Sequence, residues 1–289
     1  MKFGLLPFLL FAAVSLCPAP ARAQEPPYFI TYSHQMEEPG NLEIEFRPVI
    51  GTQRGGHDYI GYWTEFEYGT TAWWTTELYL DGQTTFHDST LYTGFRIENR
   101  FRPLMKEHWI NPVLYVEYEN TSDADKDMIE VVGFDKESDY APPNAVLRQT
   151  VSHELEMKLI LSSNANGWNF SENIVTEKNL TNEPWEFGYA IAASRPLRLE
   201  ATPEPCVFCR ENFSAGLEMY GGLGTAHSVT LAGTSHYLAP VTSWELPSGW
   251  TLRLSPTFGL NGNSHVFLLR VGMSYEIAAF GRKVRSMFR

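Results

Sequence analysis

Three cysteines in 289 residues are too few for a disulfide framework. Basic residues are also scarce: 22 Lys and Arg stand against 34 Asp and Glu, a formal charge of −12, so the chain offers no basic surface to nucleic acid. Beyond the N-terminus no stretch approaches the roughly 18 consecutive apolar residues of a membrane-crossing helix. The sequence contains no Gly-x-Ser-x-Gly and no EF-hand pattern, and no internal repeat divides it. These gaps argue against a helical membrane protein, a nucleic-acid binder and a repeat array, and leave a single large domain.

The two ends differ in chemistry from the middle. Met1-Lys2, an apolar run over residues 3–16 and Ala21-Arg22-Ala23 read as a secretory signal peptide over residues 1–23. The bulky Leu16 before Cys17 argues against a lipoprotein, so Cys17 leaves with the signal. Loss of Lys2 and Arg22 takes the mature charge to −14. Residues 24–40 then read as a periplasmic leader, and residues 278–289 as a basic, solvated C-terminal tail, with Phe288 followed by Arg289 at its end.

Between them apolar and polar residues alternate. In residues 266–277, Phe267, Leu269, Val271, Met273, Tyr275 and Ile277 alternate with Arg270, Gly272, Ser274 and Glu276. In residues 250–261, Trp250, Leu252, Leu254, Pro256, Phe258 and Leu260 alternate with Arg253, Ser255 and Thr257. That is the period of a strand. Each run is near the roughly 10 residues that a tilted strand needs to cross a bilayer, longer than the strands of a soluble sandwich. Similar runs recur over residues 41–50, 59–69, 73–81, 90–102, 109–119, 151–161, 168–176, 185–199, 213–222 and 235–246. The expected fold is all-β: an antiparallel up-and-down transmembrane β-barrel of about twelve strands over residues 41–277. An even count puts both termini on the periplasmic side. The acidic stretch 120–150, with Asp123, Asp125, Asp127, Asp135, Glu137, Asp139 and Pro142-Pro143, then reads as a long, solvated extracellular loop.

Trp63, Trp73, Trp74, Trp109, Trp168, Trp185, Trp244 and Trp250 fall near the ends of these runs, as the membrane-interface girdles of a barrel require. The polar phase carries Glu43, Glu45, Arg47, Glu77, Arg96, Glu98, Arg100, Arg102, Glu117, Glu119, Glu154, Glu156, Lys158, Glu218, Arg253, Arg270 and Glu276, which are the candidate lumen-lining residues. They suit either a charged, water-filled path for small solutes or a salt-bridge network that fills the barrel.

Cys206 and Cys209 stand four residues apart end to end, followed by Arg210 rather than the histidine of a haem attachment site, with no further thiolate or imidazole nearby for zinc. A small structural disulfide in an oxidising compartment is the plain reading; metal or redox work is the alternative. Ser152-His153-Glu154 invites a hydrolase reading, but adjacent strand residues point to opposite faces. His87, His227, His236 and His265 lie in or near loops, with no serine assignable to them. No catalytic residue, metal ligand or cofactor is assigned.

TLYTGFRIENRFRPL, WINPVLYVEYEN, HELEMKLILSS and GWTLRLSPTFGLNGNSHVFLLRVGMSYEI, after a signal peptide, resemble an uncharacterised group of bacterial outer-membrane β-barrel proteins described as transporter-like or porin-like. The resemblance covers nearly all of the mature chain, through architecture rather than a substrate motif. It implies a Gram-negative outer membrane, contact with its lipids and with the barrel-assembly machinery, and passage of small solutes. The basic residues after Ile277 depart from the terminal aromatic common in such barrels. The expected function is a porin-like channel. The alternatives are a filled structural barrel that presents the acidic loop to a partner, and an outer-membrane lipid hydrolase or acyltransferase.

Overall fold

Alternation gives every strand an apolar face and a polar face, and a sheet built from such strands buries its polar face only by closing on itself. The computed structural model, which describes residues 25–128, 131–181, 183–202 and 206–287, shows this closure. The expected signal peptide and the last two residues lie outside the described residues.

Twelve antiparallel strands form the wall: β1 (Leu42–Gly51), β2 (Tyr59–Thr71), β3 (Trp74–Thr85), β4 (Thr90–Phe101), β5 (Asn111–Ser122), β6 (Val151–Ala165), β7 (Trp168–Asn179), β8 (Glu186–Pro196), β9 (Phe213–Thr225), β11 (His236–Glu245), β12 (Trp250–Gly259) and β13 (Phe267–Ile277). The two-residue β10 (Ser228–Val229) only lengthens β9 into its loop. Each barrel strand pairs with its neighbours in the chain, and β13 pairs with β1, so the wall has no free edge. In the β12–β13 hairpin Leu254 faces Val271 and Ser255 faces Arg270, so the apolar and polar phases stay in step across the pair. Leu254, Phe258 and Met273 are exposed on the outside, while Arg253, Ser255 and Arg270 are buried within.

The start of β1 at Leu42 and the end of β13 at Ile277 lie at one end, with the two-residue turns 72–73 and 166–167; the longest connection, 123–150, lies at the other. Short turns face the periplasm in such barrels, which puts Leu42 and Ile277 on the periplasmic side and the long connection on the extracellular side. Helix α1 (Phe280–Met287) follows β13 at the periplasmic end, where Phe280 packs its ring edge-on to Tyr68 and Gly281 N–H donates to Gly40 O.

Trp73, Trp74, Trp109, Trp168, Trp244 and Trp250 ring the periplasmic end, and Trp185 stands at the opposite end. Trp63 corrects the expected girdle. It is 1% exposed and faces the lumen, beneath the Arg47 guanidinium at 5.8 Å and within 3.4 Å of Glu65 through its indole N–H. Its phase on β2 is that of Glu65 and Glu67, which the strand period sends inward.

Cys206 and Cys209 form a disulfide in the periplasmic connection between β8 and β9. The same connection is pinned to the wall by Trp244, whose ring stacks on Phe208 and Phe213 and whose indole N–H donates to Val207 O at 2.9 Å.

Candidate functional site

The inward faces of nine consecutive strands carry a glutamate at the same cross-strand level. Glu276 on β13 faces Glu43 on β1, Glu43 faces Glu67, and Glu67 faces Glu77. Glu77 then faces Glu98, Glu98 faces Glu117, Glu117 faces Glu156, Glu156 faces Glu177, and Glu177 faces Glu186 on β8. Directly opposed residues share a face of the sheet, so all nine carboxylates belong to one row. Eight steps of about 4.8 Å make about 38 Å along the wall. With strands tilted by about 40°, the row climbs about 25 Å along the barrel axis, the height of the apolar band. It begins at the periplasmic end, where the Asn41 amide bonds Glu276, and ends at the first residue of β8, on the extracellular side.

Like charges directly opposed repel, so this row needs compensation. Arg100 supplies part of it, reaching Glu67 and Glu77 with its terminal nitrogen and Glu98 with Nε at 3.1 Å. Lys158 pairs with Glu156 at 2.8 Å. Beside the row, Arg253 holds Glu45 at 2.8 Å, Arg47 holds Glu45 at 2.5 Å, and Arg96 joins Asp81 at 2.8 Å and Asp127. The balance stays acidic: among the described residues, leaving out Glu137 and Glu211 in the connections, twelve buried carboxylates stand against six buried cations, so solvent cations or protons must make up the difference. Carboxylate oxygens of Glu65, Glu67 and Glu77 converge within 4.8 Å, as do those of Glu119, Glu156 and Glu177. These are the groups that could hold a metal ion; Arg100 already occupies the first.

Two segments outside the strands enter the lumen. The leader enters from the periplasmic end, so residues 26–34 lie inside the wall rather than in the periplasm. Its backbone N–H groups at Phe29, Ile30 and Thr31 all donate to the Glu218 carboxylate, at 3.0, 3.0 and 2.8 Å. Asn173 answers both backbone groups of Tyr32, and the Tyr32 hydroxyl donates to Glu98 at 3.0 Å. Glu25 pairs with Arg253. Between the leader and Glu65, Glu67, Glu77 and Arg100 lies a cavity of about 50 Å³, room for little more than water.

From the other end the acidic connection folds inward instead of standing in solvent. Arg96 binds Asp127, and Arg270 donates to the carbonyls of Asp127 and Met128, at 3.2 and 2.5 Å. The wall is thinned to receive this backbone: a Cβ at Gly61 would lie 2.3 Å from Lys126 O, and one at Gly222 would lie 2.5 Å from Gly133 O.

Of the residues assigned to the lumen from the sequence, Glu77, Arg96, Glu98, Arg100, Glu117, Glu119, Glu156, Lys158, Glu218, Arg253 and Arg270 are buried, while Arg47 and Glu154 are partly covered. Arg102 does not join them. It lies past the end of β4, in the periplasmic turn, where it donates to Leu104 O and pairs with Glu107 at 3.6 Å. Glu276 stands at the rim, exposed. Glu65, Glu67, Asp81 and Glu177 were not singled out from the sequence, although Glu65 and Glu67 share the phase of Trp63.

Ser152 and His153 diverge, as adjacent strand residues must. His153 meets the Tyr118 hydroxyl at 2.8 Å, and Ser152 accepts from Asn179 at 3.3 Å. A different Ser-His-Glu chain joins leader to wall: His34 contacts Ser162 at 2.8 Å and Glu107 at 3.1 Å. Ser162 is 2% exposed and shares its hydroxyl with Asn169 and Ser171, so it anchors the leader rather than presenting a nucleophile.

His265, in the connection 260–266, meets the hydroxyls of Tyr59 at 3.2 Å and Tyr237 at 3.3 Å and packs near the Tyr140 ring. Burial pushes its pKa down to about 3, and Arg270, Lys126 and Arg54 act in the same direction. The unfolded chain takes up this proton near pH 6.5, the folded chain only near pH 3. Stability is therefore full above about pH 6.5 and falls as pH drops through that window, by up to about 1.4 kcal/mol per pH unit. Thermal unfolding between about pH 6 and pH 4 should show a flatter slope for His265→Gln than for the parent; equal slopes would contradict the assignment.

Comparison of the sequence with protein-family models and with curated proteins finds no match. Solved structures do match in shape. An outer-membrane channel from Pseudomonas putida F1 superposes with a TM-score of 0.52 at 10% identity, over 84% of this chain and 98% of that one. The fold is that of the outer-membrane β-barrels. The KdgM porin gives a TM-score of 0.49 at 7% identity, over 81% of this chain and 98% of that one. A closed wall with an apolar outer band belongs in a bilayer, and in this fold that bilayer is the bacterial outer membrane.

Proposed function

We propose that this porin-like barrel is a channel for small solutes that prefers cations, and that the leader closes it in the form described here. The row of nine glutamates carries the reading. It crosses the height of the apolar band without a basic residue at its own level, and the surplus of buried carboxylate draws positive charge into the lumen. A purely structural filling would pair its charges more evenly, since an uncompensated buried charge costs several kcal/mol.

The test is a planar bilayer with a KCl gradient, using a chain that lacks residues 26–36. Its reversal potential should report cation preference, reduced by the combined Glu117→Gln, Glu156→Gln and Glu177→Gln substitutions. Anion preference, or a reversal potential unmoved by the triple variant, would refute the cation path. Silence from correctly closed barrels would refute the channel itself.

A further inference from the structure

At the extracellular mouth, outside the glutamate row, a cavity of about 550 Å³ opens between the connections 52–58 and 86–89 and the segment 141–143. That volume is in the range of small-molecule sites. Its rim is exposed, with His57, His87 and Asp88 on one side and Pro142-Pro143 on the other; its floor is buried, with Gln53, Thr85 and Lys126.

Two floor groups lack their full complement of partners. Lys126 is 1% exposed; its ammonium donates to Thr85 Oγ1 at 3.0 Å and sits over the Tyr59 ring at 5.4 Å. Among the described residues no carboxylate forms an ion pair with it. An ammonium has three donors, and a buried cation calls for a counter-charge. Gln53 donates from Nε2 to Glu137 O at 3.2 Å, which fixes the amide, and leaves the buried Oε1 with no hydrogen-bond partner among the described residues. The space before that oxygen is kept by Gly56, where a Cβ would lie 2.9 Å from Oε1 and 3.3 Å from Ala141 Cα.

The rim completes the pattern. His87 holds a left-handed backbone, φ 64°, unusual for a residue with a side chain, and its ring stands 6.2 Å from that of His57. Asp88 also lines the cavity and its carboxylate acts on Lys126 through space without forming an ion pair, while it accepts from Asn144 N at 2.8 Å and from the Ser89 hydroxyl at 3.1 Å.

From this geometry we infer a binding site for a small polyhydroxylated carboxylate, its carboxylate on Lys126, a hydroxyl donating to Gln53 Oε1, and its carbon skeleton along Pro142-Pro143. The carboxylates deeper in the lumen repel the same anion, so the site is for recognition at the mouth rather than for passage.

Gluconate is a suitable probe, with sorbitol and hexanoate as controls that each lack one half of its chemistry. Isothermal titration of the full chain in detergent should give gluconate a dissociation constant at least about tenfold tighter than either control. Lys126→Met and Gly56→Ala should each weaken gluconate binding by about tenfold or more. A heat-modifiable gel shift identifies folded variants; Gly56→Ala leaves the lysine untouched and keeps the test decisive if Lys126→Met does not fold. Binding of sorbitol or hexanoate as tight as gluconate, gluconate affinity unchanged in the folded variants, or no heat with gluconate would each overturn the inference.

Discussion

A chain without residues 26–36 should conduct roughly tenfold more current than the full chain in the same bilayer, because the removed segment fills the lumen beside Glu65, Glu67, Glu77 and Arg100. The leader is held by polar contacts that can be broken without disturbing the wall. Three of its amides converge on one carboxylate, Glu218. Hydrogen bonds to a charged group contribute about 1.5–3 kcal/mol each, so Glu218→Ala should release the leader in part and give brief openings in the full chain. The strand hydrogen bonds that close the barrel involve none of residues 26–36, so the shortened protein should keep its heat-modifiable mobility. If both chains fold and conduct equally, the leader is not the gate.

Where the sequence had a period, the structure was legible; where it had none, contacts decided. The β12–β13 hairpin could be read in both faces because every second residue was apolar, and the spacing of such runs gave the number of strands. Trp63 was misplaced because nearness to the start of a run outweighed phase, although Glu65 and Glu67 mark that phase as inward. Glu43, Glu77, Glu98, Glu117, Glu156 and Glu276 could be read singly as facing the lumen, while Glu67, Glu177 and Glu186 were missed. Their alignment could not, because register depends on connection lengths and on the shifts at Gly69/Thr71, Asp81/Gly82 and Phe187/Gly188. The leader and the acidic connection carry no alternation at all. Their entry into the lumen follows from partners more than a hundred residues away, such as Glu218 for Thr31 and Arg270 for Asp127.

Arg100→Met should be the most damaging single substitution in the wall. One guanidinium serves Glu67, Glu77 and Glu98, and it also lies 5.3 Å from the centre of the Tyr32 ring in the leader. Removing it leaves three buried carboxylates from adjacent strands facing one another, a loss of about 3–5 kcal/mol for an uncompensated buried network. Urea unfolding of the reconstituted barrel measures this loss, and adding Glu77→Gln should recover part of it by removing the central charge. A loss below about 1 kcal/mol that shrinks further in high salt would mean that solvent cations already balance these carboxylates. The region around Arg100 would then be wet in the closed form, and cations would reach the glutamate row without removal of the leader.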